Sequence, residues 1–142
     1  MIYTELTKKA MILCFEAHKD QRDKSGIPYV FHPIHLAEQM DDEYTTVVAL
    51  LHDVMEDSSF TLDDLRQMGY PEAVLDALVL MTHGEDVPYM DYVMAIKPNL
   101  IAKKVKLADL RHNSDTTRLE EITEKALERV EKYKRAIALL EE

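Results

Sequence analysis

The stretch that most constrains this chain is an apolar helical run ending in one imidazole and three carboxylates. Val47-Val48-Ala49-Leu50-Leu51 passes straight into His52-Asp53-Val54-Met55-Glu56-Asp57. An uninterrupted apolar run is the mark of a helix buried on all sides. Carrying His52, Asp53, Glu56 and Asp57 into that environment costs on the order of several kcal/mol for each charge left unpaired. A divalent cation removes the cost, because it turns mutually repelling carboxylates into a ligand set. Two further candidate ligands, His32 and Asp109, stand far away in sequence. The expectation is a metal-dependent hydrolase site built on helices.

The rest of the chain supports a helical reading. Only 3 Gly and 5 Pro among 142 residues argue against a turn-rich all-β fold. Helical periodicity is expected over Tyr3–Lys19, with Thr4 as N-cap and Ala10, Met11, Cys14 and Ala17 or His18 facing inward. A polar loop, Asp20 to Tyr29, leads to a helix starting near His32-Pro33, and the metal-bearing helix follows from about Asp42 to Asp57. Thr61-Leu62-Asp63-Asp64 has the form of a capping box for a short helix that Gly69 stops. Pro71 and Pro88 open two more helices, with His83-Gly84-Glu85-Asp86 as a loop between them. Asn99–His112 reads as a buried helix carrying Leu100, Ile101, Val105, Leu107 and Leu110. A last helix from about Glu120 places Ile122, Leu127, Val130, Tyr133, Ile137 and Leu140 on one face. With no repeat, linker or strand pair, the fold class is an all-α bundle and a single domain over 1–142.

Composition narrows the partners. A net charge of −10 argues against nucleic acid and anionic membranes, both of which require a basic face. An anionic small substrate then has to be held by local cations, for which Lys24, Lys106 and Arg111 are candidates. The lone Cys14 allows no intramolecular disulfide, and neither a signal-type apolar block nor a membrane-length run is present. A soluble, cytoplasmic protein is expected.

His32, His52, Asp53 and Asp109 make a mixed nitrogen and oxygen set whose two negative charges balance a divalent ion. Such a set suits Mn, Fe, Zn or Co better than calcium or a thiolate-selected metal. Four protein ligands leave positions for water and a phosphate oxygen. Glu56, one turn beyond His52 and Asp53, is the expected general base, with Asp57 helping to position the water. His18, His35, His83 and His112 read as structural hydrogen-bonders, and Asp41-Asp42-Glu43 as a solvated helix start. The charged C-terminal helix reads as an exposed face of alternating sign.

The residues together resemble a known family. His18-x-x-Gln21, Lys24-Ser25-Gly26-x-Pro28-Tyr29-x-x-His32-Pro33, Ala49-Leu50-Leu51-His52-Asp53-x-x-Glu56-Asp57, Lys106-Leu107-Ala108-Asp109 and His112-Asn113-x-x-Thr116 are similar to motifs of the HD-domain metal-dependent phosphohydrolases. Within these, the likeness is to the hydrolase half of the Rel/SpoT alarmone enzymes and to the stand-alone small alarmone hydrolases. It implies an all-helical fold, a Mn²⁺ ion at His32, His52, Asp53 and Asp109, and water activation by Glu56 and Asp57. It also implies release of the 3′-pyrophosphate of (p)ppGpp, with nucleotide contacts at Lys24, Ser25, Asn113 and Thr116; no synthetase half is expected, since the chain ends soon after the hydrolase motifs.

The chain departs from the family pattern at three places. Asp23 stands where the family has a base-stacking arginine, and Asp20 stands where it has a glycine. Asp109-Leu110-Arg111-His112-Asn113 replaces Asp-Arg-Leu-His-Asn, which turns a cation by about 100° around the helix. These departures keep two alternatives open. One is an HD phosphohydrolase acting on another nucleotide or phosphomonoester; the other is a non-catalytic, metal-stabilised helical binding module.

Overall fold

The computed structural model describes residues 1–142 as nine α-helices and one 3₁₀ turn. In chain order they are α1 (Glu5–His18), α2 (Phe31–Glu38), α3 (Glu43–Leu51), α4 (Val54–Asp57), α5 (Leu62–Gln67), α6 (Glu72–Leu80), α7 (Tyr89–Ile96), α8 (Leu100–Asn113) and α9 (Glu124–Glu141). The 3₁₀ turn, Thr116–Arg118, lies between α8 and α9. The only strand-like pairing is an isolated bridge between Arg22 and Pro28. No helix is long and apolar enough to cross a membrane.

Side-chain caps set where most helices begin. Thr4 and Thr7 form a reciprocal capping box on α1, and Thr61 with Asp64 does the same on α5. Asp42, Asn99 and Thr123 each accept a backbone N–H at the start of α3, α8 and α9. Gly69, at φ +92°, provides the left-handed residue that ends α5.

Helix α3 is the axis of the bundle. Its Val47, Val48, Ala49, Leu50 and Leu51 are all fully buried, and it packs against α1, α2, α6 and α8. Burial on every side explains why its apolar run has no polar face. The start of α2, the end of α3 and the last third of α8 therefore meet inside the bundle, which is where the site lies.

Several expectations change. The helix expected from Asp42 to Asp57 is two helices, because His52 and Asp53 leave the ladder and Asp53 adopts φ −108°, ψ 3°. The cause is local: the His52 ring turns back to the Ala49 carbonyl, and a new turn restarts when Asp57 N–H reaches Asp53 O. The last helix starts at Glu124, where Thr123 caps it, and Ile122 and Leu127 lie exposed. On α8, Leu100 is 79% exposed and Leu107 only partly covered, while Ala102, Val105, Lys106, Asp109 and Leu110 are buried. The inward stripe of α8 therefore carries a cation and an anion, which pair with each other.

Candidate metal centre

Three elements supply the cluster. His32 sits in the first turn of α2, His52 follows the last residue of α3, and Asp109 lies three-quarters of the way along α8. One ligand atom from each of His32, His52 and Asp109 lies within 4.8 Å of the others, and all three residues are buried. His32 Nε2 is 2.9 Å from Asp109 Oδ1, and His52 Nε2 is 3.6 Å from the same oxygen. His52 Nδ1 is 2.8 Å from the Ala49 carbonyl, so it carries the proton and leaves the Nε2 lone pair free. That Nε2 is buried and has no hydrogen-bond partner, although Asp53 Oδ2 lies 3.0 Å away. His32 Nε2 and Asp109 Oδ1 are paired with each other, and His52 Nε2 faces the same centre. An orphaned ring nitrogen facing two carboxylates is a nitrogen and oxygen donor set that fits a divalent metal ion.

Asp53 stands beside this triangle rather than within it. Its Oδ2 approaches His52 and also accepts the Tyr29 hydroxyl. Around Asp109 the remaining valences are filled. Lys106 Nζ reaches Oδ2 at 2.9 Å, and the Asn113 amide donates to Oδ1 at 3.1 Å. A carboxylate held on both oxygens keeps its orientation.

The electrostatics follow from charges brought together without water. Burial raises the Asp53 carboxyl, but the His52 ring outweighs it and brings the group down to about 2. Asp109 is held well below the carboxylate range, with Lys106 the main charge opposing its burial. Burial lowers His52, yet Asp53 and Asp109 hold it well above the usual imidazole value. His32 is lowered, chiefly by burial. Two carboxylates beside the His52 imidazole are a charge arrangement that a divalent cation balances.

Three cavities reach the cluster, and two of them are lined by Asp57 or Glu56. A cleft of 540 Å³ reaches His32 and is lined by Lys24, Ser25, Asp57 and Asn113. Arg22, Lys24, Arg118 and Arg129 give it four cations against Asp23, Asp57 and Asp115. In a chain of net charge −10, this is the local concentration of positive charge that an anionic ligand requires. A smaller cavity of 180 Å³ opens on the other flank, where Glu56 shares the lining with His52, Asp53 and Asp109. The His83 N–H donates to Glu56 Oε1 at 2.9 Å and orients that carboxylate. Asp57 lines only the larger cleft, so the two acids bracket the cluster instead of sitting side by side. Burial, and then Asp53, raises the Asp57 carboxyl.

The other sequence-derived residues divide. Lys24, Ser25 and Asn113 line the large cleft, and Lys106 lines the small one. Thr116 is not in the lining of either cavity, though its neighbours Asp115 and Arg118 line the cleft. Arg111 points away from the site and pairs with Glu141 at 2.9 Å. Asp23 is a structural part of its loop. Its Oδ1 accepts the Ser25 and Ile27 N–H groups at 2.9 and 3.0 Å, across a turn closed by Gly26 at φ +85°. Its Oδ2 faces Arg118 at 3.9 Å. Sequence reading missed Arg118, Arg129 and Tyr133 in the cleft. Arg129 and Tyr133 are four apart on α9, a spacing that puts them on one face.

Comparison with known proteins places this geometry. No protein-family model matches the chain. It is 30% identical over 124 residues to the bifunctional (p)ppGpp synthase/hydrolase SpoT of Escherichia coli K12, an alignment covering 77% of this chain and 18% of SpoT. It is 34% identical over 144 residues to the GTP pyrophosphokinase of Streptomyces antibioticus, covering 89% of this chain and 17% of that protein. The chain thus spans less than a fifth of the length of these curated relatives. A solved structure of a metazoan SpoT ortholog that hydrolyzes ppGpp superposes with a TM-score of 0.76 at 21% identity, covering 99% of this chain and 87% of that one. The fold is the all-helical HD fold, carrying a buried His/His/Asp cluster. The homologues of the chain are the SpoT/Rel (p)ppGpp synthetases and hydrolases.

Proposed function

We propose that this protein is a metal-dependent phosphohydrolase of a phosphorylated nucleotide, with (p)ppGpp cleaved at its 3′-pyrophosphate as the reaction. The observation that carries this reading is the orphaned His52 Nε2, converging with His32 and Asp109 between a cationic cleft and an oriented glutamate. His32, His52 and Asp109, with Asp53 alongside, would hold the ion, with Mn²⁺ as the native metal. When bound, the ion supplies Lewis-acid charge stabilisation and a water of lowered pKa.

The residues of the chain have separable tasks. Arg22, Lys24, Arg118 and Arg129 hold the anionic nucleotide in the large cleft, and Ser25 and Asn113 offer polar contacts there. Asn113 and Lys106 orient Asp109 from opposite oxygens. Glu56, held by the His83 N–H, accepts the proton of the water that attacks the 3′ α-phosphorus. The bond from that phosphorus to the ribose 3′-oxygen breaks, the oxygen takes a proton, and pyrophosphate and GDP or GTP leave.

A second reading has one observation behind it. Asp23 and Arg118 form a charge pair at the cleft rim, and an acid there alters which base or phosphate fits. Substrate identity is settled by incubating the purified protein with ppGpp, pppGpp, NADPH and nucleoside monophosphates in the presence of Mn²⁺, Zn²⁺ or Co²⁺. Metal-dependent release of pyrophosphate from ppGpp or pppGpp is expected. Cleavage of only another phosphorylated nucleotide supports the second reading, and no turnover of any of them with any metal overturns both.

A further inference from the structure

His112 has no task in the reaction just described, yet its ring meets a member of the cluster edge to edge. His32 Nδ1 and His112 Nδ1 are 2.7 Å apart. The two rings are parallel within 5° with centroids 4.9 Å apart. Such a close nitrogen contact between parallel rings at that separation is an in-plane hydrogen bond rather than a face-to-face stack. Two nitrogens this close share one proton, carried by one ring and accepted by the other.

The His112 ring is itself fixed. His35 stacks on its face at 4.0 Å and 25°. The Arg118 guanidinium holds the backbone carbonyl of the same residue at 2.8 Å. On the opposite edge of His32, Nε2 faces Asp109 and the centre shared with His52.

We propose that His112 is a positioning residue, which accepts the His32 Nδ1 proton so that the Nε2 lone pair of His32 is presented to the metal. The proposal rests on the metal reading of the cluster. His52 obtains the same service from the Ala49 carbonyl. The two imidazoles are thus locked from behind by different means, one by backbone and one by a side chain. Without an acceptor at position 112, the buried Nδ1–H loses its partner, and the tautomer with the proton on Nε2, hydrogen-bonded to Asp109, is favoured over the ligating one.

The test measures metal binding directly. Mn²⁺ is titrated into metal-free wild-type protein and into His112→Phe and His112→Gln, since the Gln amide oxygen can accept where Phe cannot. Loss of an outer partner of this kind weakens metal affinity by roughly 10–100-fold. His112→Phe is expected to show that loss, and His112→Gln to recover most of it. Long-range ¹H–¹⁵N spectra of Zn²⁺-loaded wild-type protein should show the His32 proton on Nδ1. Wild-type affinity in His112→Phe, or a Zn²⁺-loaded His32 protonated on Nε2, overturns the role of His112 and leaves the cluster reading standing. A wild-type protein that binds no divalent ion overturns the cluster reading itself, and this proposal with it.

Discussion

Lys106 Nζ lies 2.9 Å from Asp109 Oδ2, one helical turn away on α8, and both side chains are buried. The pair is a fixed charge arrangement under the cluster. Lys106 leaves Asp109 only one oxygen to share with His32, His52 and Asn113. Replacing Lys106 by Met removes the compensating cation from a buried carboxylate. Breaking a buried pair in this way costs about 3–5 kcal/mol. In urea denaturation, Lys106→Met should lose stability of this order without metal and recover part of it with saturating Mn²⁺, because the ion supplies the missing charge. An equal loss with and without metal would separate Lys106 from the cluster.

The two acids after the helix break are predicted to behave differently. Glu56 shares a cavity with His52 and Asp53, while Asp57 lines the nucleotide cleft. Glu56→Gln should keep Mn²⁺ affinity and lower kcat by about two to four orders of magnitude, the range for a general base. Asp57→Asn should act on KM as well as kcat. The check is steady-state kinetics on both variants alongside metal titration, and Glu56→Gln with wild-type kcat would contradict the assignment.

Asp23 illustrates what a sequence does and does not reveal. Its place in the chain reads as a repelling acid at a nucleotide site, but its Oδ1 closes the turn that carries Lys24 and Ser25. Asp23→Asn keeps an acceptor for both N–H groups and removes only the attraction to Arg118. Asp23→Arg removes both. The arginine variant should therefore lose roughly 1–3 kcal/mol of stability from two broken hydrogen bonds, while Asn loses little. Thermal unfolding of the two variants distinguishes them, and equal melting temperatures would contradict the role of Asp23 in closing the turn.

The stability of the metal-free protein should depend on pH in two opposing ways. Asp53, held down to about 2, and Asp109, also lowered, are depressed in the folded state. Their contribution is present above the unfolded carboxylate value of about 4 and is lost as pH falls through the folded values. His52 is raised in the folded state. Its contribution is full below the unfolded imidazole value of about 6.5 and is lost as pH rises through the raised one. His32 and His112, both lowered in the folded state, cost stability below about pH 6.5, so urea unfolding across pH 3–9 should show a maximum close to pH 6.5. Stability that climbs steadily to pH 9 would contradict these charge states.

Much of the helical frame was legible because most helices carry their own start signal. Thr4, Thr61, Pro71, Pro88 and Asn99 all stand where the structure opens a helix. The break at His52-Asp53 was not legible, since the apolar run continues through it and the cause is a side chain folding back on Ala49 O. The outward position of Leu100 and the inward position of Lys106 were hidden for a related reason. Periodicity ranks residues by polarity, whereas Lys106 and Asp109 are buried as a pair. His32, His52 and Asp109 were readable as a set, and the structure brings all three together. Arg118 and Arg129 were not, because their meeting with Lys24 depends on how α8, the 3₁₀ turn and α9 close over the loop before α2.

The central claim is that one cation sits among His32, His52, Asp53 and Asp109. Crystals soaked in Mn²⁺ and measured at the manganese absorption edge test it without reference to any substrate. A single anomalous peak bonded to His32 Nε2, His52 Nε2 and a carboxylate oxygen each from Asp53 and Asp109 is the predicted result. A map with no peak there, or with manganese only at surface carboxylates, would contradict it.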